Sequence, residues 1–88
     1  MIDVKQTIDG ILSRAANDNV VPIDICLNLV HRTLLGTRLA GLGLHDGPPE
    51  TLREYRELPI ITLPAPSAHS AVRARRPGFP SRISYPLA

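Results

Sequence analysis

The first apolar positions of the chain recur with the period of an α-helix. Asp3 precedes them and can cap this helix, with Gln6 three residues later as its capping-box partner. Residues 17–19, Asn-Asp-Asn, favour a turn through side-chain bonds to the backbone and end the pattern. The spacing predicts a helix over residues 3–16, with an apolar stripe made of Val4, Ile8, Ile11, Leu12 and Ala15.

The longest apolar segment covers residues 22–42, and two periods overlap in its first half. Ile23, Ile25 and Leu27 alternate as in a strand, but a helical stripe continues well beyond the length of a typical strand. We therefore predict one central helix over 22–42, with Pro22 in its first turn. Its apolar stripe consists of Ile23, Cys26, Leu27, Val30, Leu34 and Thr37.

Three leucines, Leu35, Leu39 and Leu42, project from the polar side of this predicted helix. The helix could break near Gly36, which costs about 1 kcal/mol relative to alanine in a helix interior, so that its second half faces elsewhere. Alternatively, the leucines form a second apolar patch that another chain or the tail covers. Both explanations stay open, and the second predicts a homodimer or a tight complex with a partner.

A third, shorter helix is predicted over residues 49–58. The turn signal of residues 45–49, His-Asp-Gly-Pro-Pro, places proline at the first helical positions. Leu52, Tyr55 and Leu58 then recur every three residues, and Glu–Arg pairs stand at ion-pair spacing. Residues 1–58 are thus expected to form a helical body.

Residues 59–88 differ in composition from this body. They hold six of the nine prolines and four arginines without an acid, a net charge of +4, whereas residues 1–58 carry six basic and eight acidic side chains. Residues 58–64 are apolar and suited to lie extended across a groove. The proline, serine and arginine content beyond them predicts a largely disordered tail. The expected fold is therefore all-α: a three-helix, degenerate helix-turn-helix-like domain followed by an extended Pro/Arg-rich tail.

Size and composition limit the possible functions. A chain of 88 residues is at most one domain, and with 3% aromatic residues its core is small enough to favour oligomerisation or a partner. The single Cys26 excludes an internal disulfide and favours the cytoplasm. No uninterrupted apolar run is long enough to span a membrane, and no secretory signal is visible.

The residues that usually carry catalysis are scattered. The histidines lie on three different predicted elements, and no carboxylate or cysteine stands at metal-ligand spacing from any of them. They are His31, His45 and His69. Cys26 faces the apolar stripe and is expected to be a small core residue. We therefore expect no enzymatic activity, no metal and no cofactor.

The predicted order of helix 22–42, turn 43–48 and helix 49–58 is that of a helix-turn-helix DNA-binding motif. In its last helix, however, acids outnumber Arg53 and Arg56, and carboxylates are repelled by phosphates. The leading hypothesis is a bacterial regulatory protein that acts by binding another protein, in the manner of an antiactivator. Its target would be either a transcription factor or a mobile-element or phage-related machine, which it would inhibit or modulate. The predicted partner-binding residues are Leu35, Leu39, Leu42, Glu50, Arg53, Glu54 and Glu57.

Two alternatives compete with this hypothesis. The degenerate helix pair or the tail could bind nucleic acid, with Arg73, Arg75 and Arg76 as a basic arm and the rings of Phe79 and Tyr85 available for stacking. The chain could also be a small structural subunit that becomes ordered in a larger assembly.

Overall fold

Two α-helices and five β-strands form the described part of the chain. The computed structural model describes residues 3–65 and 67–87, with Glu50 described by its backbone only. The elements in chain order are α1 (Val4–Asn17), β1 (Val21–Leu27), α2 (Leu29–Gly41), a 3-10 turn (Pro49–Thr51), β2 (Glu54–Tyr55), β3 (Leu58–Thr62), β4 (Ala71–Arg75) and β5 (Arg82–Pro86).

The strands form one mixed sheet in the order β2-β3-β1-β4-β5. β1 lies at its centre, parallel to β3 and antiparallel to β4. β2 and β5 pair antiparallel with their neighbours and form the two edges. The parallel pairing of β1 and β3 requires a long crossover, which α2 and the loop after it provide.

Both helices pack on the same face of this sheet. Side chains at alternate positions of the central strands point toward them, among them Ile25, Leu27 and Val72, which are fully buried. They form one core cluster with the helical residues Val4, Ile8, Ile11, Ala15, Leu35 and Leu39. The opposite face of the sheet is covered by neither helix, and we call it the open face.

The first helix was predicted correctly. Asp3 caps α1 by accepting a hydrogen bond from the backbone N–H of Gln6 at 3.1 Å. The buried positions of α1 are Val4, Ile8, Ile11 and Ala15. They belong to the stripe that the sequence predicted.

The prediction of one continuous helix over 22–42 was wrong. Residues 21–27 are the central strand, and only Leu29–Gly41 is helical. The last four residues of β1 are all buried. Ile25 and Leu27 lie in the core against the helices, whereas Asp24 on the open face is bound by Arg73. Asn28 separates the two elements by capping α2, its side chain accepting from the backbone N–H of His31 at 2.7 Å.

The predicted helix over 49–58 was also wrong. Only Pro49–Thr51 is helical, as a single 3-10 turn, and β2 and β3 follow as a hairpin. The residues between these strands, Arg56 and Glu57, have φ angles of +52° and +68°. Burial of Leu52 and Tyr55 from an extended backbone outweighs the weak local pairs that favoured a helix.

Segment 58–64, predicted to be extended, contains β3, whereas the region beyond it, predicted to be largely disordered, contributes β4 and β5. β3 lies between β2 and β1, and β4 and β5 form an antiparallel hairpin on the other side of β1. Pro77 lies in a turn and Pro86 at the end of an edge strand, both of which are places where proline is tolerated. The fold is therefore an α/β sandwich of two layers, and the all-α, helix-turn-helix-like prediction is wrong.

Candidate functional site

The open face of the sheet carries most of the charged side chains of β4 and β5. Strand pairing arranges its residues in rows that cross β1, β4 and β5. One row is Val21, Arg75 and Arg82, and the next is Asp24, Arg73 and Ser84. A third row, of Cys26, Ala71 and Pro86, is uncharged, so basic character is concentrated at one end of the face.

Arg73 is neutralised within the fold. Its Nε donates to Asp24 Oδ1 at 2.7 Å, and its Nη2 donates to the other carboxylate oxygen. These hydrogen bonds from Arg73 lower the pKa of Asp24, and the charge of the nearby Arg82 lowers it further. Asp24 is only 5% exposed, so a charged partner is needed to keep this carboxylate ionised.

Three other arginines of this region are not neutralised. Arg75 and Arg82 stand directly opposite each other on β4 and β5, and Arg76 follows β4. All three are exposed, and none forms an ion pair with a carboxylate whose side chain the structure describes. Like charges placed directly opposite each other destabilise a strand pair. A bound anion would remove this repulsion.

A tight turn presents an aromatic ring beside these arginines. Residues 76–79 form a β-turn in which the N–H of Phe79 donates to the carbonyl of Arg76 at 3.0 Å. Pro77 and Gly78, with φ of +84°, occupy its central positions, as in a type II turn. Phe79 is 60% exposed, although an aromatic ring of this size normally contributes to a core.

The ring and the arginines share one cleft of about 420 Å³. Its lining residues are Val21, Pro22, Ile23, Arg75, Phe79, Pro80 and Arg82. The pairing of β1 with β4 shifts register between Pro22 and Asp24, a bulge that opens this corner of the sheet. The cleft thus combines apolar side chains, one exposed aromatic residue and two arginines, which suits an anion that carries a flat apolar group.

The structure changes the composition of the predicted basic arm. Arg75 and Arg76 are free of carboxylates as described above, but Arg73 is paired with Asp24. Tyr85, predicted to be available for stacking, is buried and donates its hydroxyl to Asp18 at 2.9 Å. No role in a site was predicted for Arg82, Val21 or Pro22. The alternation of residues 71–75 and 82–87 around Pro77-Gly78 is a hairpin signal that could have found them.

The predicted partner-binding residues do not form one surface. Leu35 and Leu39 are core residues, so the proposed second apolar patch reduces to the exposed Leu42. Glu54 lies on β2 and Glu57 in the turn after it, rather than on one helical face. The side chain of Glu50 lies outside the described part of the chain.

Part of this predicted set does meet at a second cleft, of about 410 Å³, beside the C-terminal end of α2. The exposed Leu42 and Leu44 lie at that end of the helix. The cleft is lined by Leu39, Leu44, His45, Thr51, Leu52, Arg53, Glu54, Tyr55 and Arg56. It has mixed charge, in contrast to the basic cleft on the open face.

Near this second cleft, Tyr55 joins β2 to α1 through Asp9. The tyrosine hydroxyl donates to Asp9 Oδ1 at 2.5 Å, and Lys5 donates to the other oxygen at 2.8 Å. Partial burial alone would raise the pKa of Asp9, but the hydrogen bonds from Lys5 and Tyr55 lower it. Burial and the hydrogen bond to Asp9 raise the pKa of Tyr55. This cluster attaches the edge strand to the helical layer.

Ser70 and His31 are the nearest approach to a catalytic pair. His31 Nδ1 lies 2.6 Å from Ser70 Oγ, but this oxygen also accepts the backbone N–H of Asn28 at 2.9 Å, and Ser70 is 4% exposed. No carboxylate among the described residues hydrogen-bonds to the imidazole, so the orienting third group of a triad is missing from that part of the chain. The contacts of Ser70 with His31 and with the backbone of Asn28 instead hold the N-terminus of α2 in place.

Cys26 lies on β1 and is buried, and this burial raises the pKa of its thiol, which disfavours the reactive thiolate. Within residues 3–65 and 67–87, no three His, Cys, Asp or Glu side chains converge as a metal site would require. Of the helices that the structure describes, none has the length and apolar character needed to cross a membrane.

No known protein family, curated protein or solved structure matches this chain. The functional proposal therefore rests on the chemistry of the open face.

Proposed function

We propose that this protein is a non-enzymatic nucleic-acid-binding protein that contacts phosphates through the basic end of its open sheet face. The single observation that carries the proposal is the pair of un-neutralised arginines, Arg75 and Arg82, directly opposite each other beside an exposed ring. Guanidinium groups are well suited to phosphate oxygens because their planar donors can bind two oxygens at once.

The charge distribution supports the same surface. Arg76, Arg75 and Arg82 come from a segment without acids, while the acids of the chain lie in residues 1–58. Phosphates that approach this end of the open face therefore meet a local excess of positive charge, although the net charge of the whole chain is only +2. The carboxylate of this face, Asp24, is already bound to Arg73.

A pair of charge-matched variants tests the proposal. R75A/R82A removes two positive charges from the open face, and R53A/R56A removes the same number near the opposite edge of the sheet. Fluorescence anisotropy with a labelled 12-nucleotide strand at low salt is expected to show at least about a tenfold loss of affinity for R75A/R82A, equivalent to about 1.4 kcal/mol. The R53A/R56A protein should lose much less.

Equal losses for the two double variants would show that only net charge matters, and the proposed surface would then be wrong. Absence of binding by the wild-type protein at low salt would contradict nucleic-acid binding altogether. Circular dichroism and thermal unfolding of each variant confirm that its fold is kept, which is expected because all four side chains are exposed.

A second candidate function is regulation of a protein partner in the cytoplasm. It is favoured by the exposed Leu42 and Leu44, of which Leu44 is 64% exposed, beside a cleft that contains Arg53 and Glu54. Exposed leucines next to a cleft of mixed charge are typical of a protein-contact surface. The partner would be a second copy of the chain, a regulator or a component of a larger assembly.

The two candidates respond to different substitutions. L42E/L44E should abolish co-purification of a specific, identified partner or dissociate a homodimer in analytical ultracentrifugation. V30E, which changes an exposed residue in the first turn of the same helix, is the control and should have no effect. A partner retained equally by both variants would contradict this second function.

A further inference from the structure

Phe79 is held in place although it is not part of the core. The ring is 60% exposed and lies outside the buried cluster that joins the helices to the sheet. Its backbone N–H is bound to Arg76 across the turn, and Pro80 follows it directly. A residue before proline is restricted to extended conformations, so the backbone that carries this ring has little freedom.

Phe79 and the two arginines line the same cleft. Phe79 and Pro80 line one cleft together with Arg75 and Arg82, and Val21 and Pro22 from β1 complete its wall. A phosphate on the arginines would bring the attached nucleotide close to the aromatic ring. Exposed aromatic rings bind the flat faces of bases in a sequence-tolerant manner, and arginines beside them track the phosphates.

This arrangement discriminates between single strands and duplexes. The bases of a duplex are stacked on each other, and an aromatic side chain can reach their faces only by unstacking a step at a cost of a few kcal/mol. The bases of a single strand can turn outward and stack on a protein ring without this cost. An exposed ring within the same cleft as two phosphate-binding groups therefore favours a single strand.

We propose that the cleft between Phe79 and the Arg75–Arg82 pair binds single-stranded nucleic acid, with one base stacked on Phe79 and the neighbouring phosphates on the two arginines. This inference rests on the proposed function, since it identifies the form of nucleic acid that the open face recognises. RNA and DNA strands offer the same stacking and phosphate chemistry, and both are arms of the experiment.

The experiment measures the affinities of the full chain for four labelled probes at one low salt concentration. The probes are a 12-nucleotide uridine strand, a 12-nucleotide deoxyuridine strand, a 12-base-pair duplex and heparin, a polyanion without bases. For F79A, the single strands should bind about 5- to 150-fold more weakly, the range that stacking of one base on an aromatic residue supplies. Heparin affinity should be unchanged.

Two controls separate stacking from exposed apolar area. F79W keeps a flat ring and should retain the single-strand affinity of the wild-type protein. I61A shortens another exposed apolar side chain, Ile61 on β3, and should leave all four affinities unchanged. Both positions are exposed, so thermal unfolding should show that these variants fold normally.

The outcomes distinguish this inference from the proposal on which it rests. Equal single-strand affinity of F79A and wild type would overturn the stacking inference, as would a wild-type protein that binds the duplex more tightly than either strand. In both cases a loss of duplex or heparin binding in R75A/R82A would still support the phosphate-binding face. A preference for one of the two single strands would support the inference and identify the sugar that is read.

Discussion

Removal of Arg73 should reverse the sign of the contribution that Asp24 makes to the pH dependence of folding stability. In the native structure the guanidinium of Arg73 makes two hydrogen bonds to Asp24, a carboxylate that is 5% exposed. R73M keeps much of the length of the side chain and removes the charge. The carboxylate is then buried with only the weak thiol donor of Cys26, 3.6 Å away, and the more distant charge of Arg82.

The expected magnitude follows from the burial of the two partners. Breaking a fully buried ion pair by removing one member costs about 3–5 kcal/mol, because the other charge is left without compensation. Asp24 is nearly inaccessible, but Arg73 is about one-third exposed and the pair is only partly buried, so we expect the lower end of that range, about 3 kcal/mol at pH 7 for R73M. D24N should cost only about 1 kcal/mol, because the side chain of Arg73 is one-third exposed and can be hydrated by water.

The sign of the pH dependence is the sharper part of this prediction. In the wild type, Arg73 holds the pKa of Asp24 below the value it has in the unfolded chain. The ion pair therefore stabilises the fold above about pH 4, and this stabilisation is lost as the pH falls through the pKa of Asp24 in the folded protein. In R73M, burial should raise the pKa of Asp24 above the unfolded value. Acid then relieves the buried charge, and the deficit of R73M should be at least about 1 kcal/mol smaller at pH 4.5 than at pH 7.

Urea unfolding at the two pH values, followed by far-UV circular dichroism, measures this difference. The matched control is R75M, two residues along the same strand and on the same face, which should change stability by no more than about 0.5 kcal/mol because Arg75 is exposed. A deficit for R73M that is equal at both pH values, or no larger than that of R75M, would refute the assigned role of the Arg73–Asp24 pair.

Three further predictions concern the fold. In urea unfolding, G36A should destabilise the protein by about 1–3 kcal/mol, because the added Cβ would lie 2.7 Å from two atoms of Pro49. G10A is its control and should stabilise the protein by about 0.5–1 kcal/mol, because there is open space around the added Cβ. Equal effects of the two substitutions would show that Gly36 does not pack closely against Pro49. E57G should raise stability by about 1 kcal/mol because this position has a φ of +68°, and a loss on thermal unfolding would contradict the turn. S70A should cost about 1–3 kcal/mol, since it leaves the buried backbone amide at the start of α2 without its acceptor, and faster hydrogen exchange of that amide is the check.

Helix α1 could be predicted because its signals agree with each other. The cap at Asp3 and a single apolar stripe favour the same element, and no competing period is present. Such agreement between local signals is what makes a segment readable from its sequence alone. The same reasoning would have supported Asn28 as a second cap, since asparagine is strongly preferred there.

The central segment shows why the rest of the fold was not predicted. Ile23, Ile25 and Leu27 follow a strand period that adjoins a true helix, and together the two elements mimic one long helical stripe. Once the helix begins at Leu29, Leu35 and Leu39 become its core-facing residues, and no second apolar patch is needed. An error in one boundary therefore produced a wrong surface, and together with the wrong predictions for residues 49–58 and the tail it produced the wrong fold class.

The site was only partly readable because it depends on long-range pairing. Arg75 and Arg76 were identified from their charge, but the capture of Arg73 by Asp24 joins residues 49 positions apart in the chain. The position of Arg82 opposite Arg75 follows only from the register of the hairpin. The arginine and proline content of this segment predicted disorder. Composition does not show on which face of a strand each residue lies, so it could not predict the hairpin.

The most direct test of the central claim is the salt dependence of binding to a single strand. If Arg75, Arg76 and Arg82 each contact one phosphate, the logarithm of the affinity should fall with the logarithm of the salt concentration with a slope of about −2. R75A/R82A should reduce that slope to about −0.7, and R53A/R56A should leave it near −2. A slope unchanged in R75A/R82A, or reduced equally in both double variants, would contradict the claim that the open sheet face binds the phosphates.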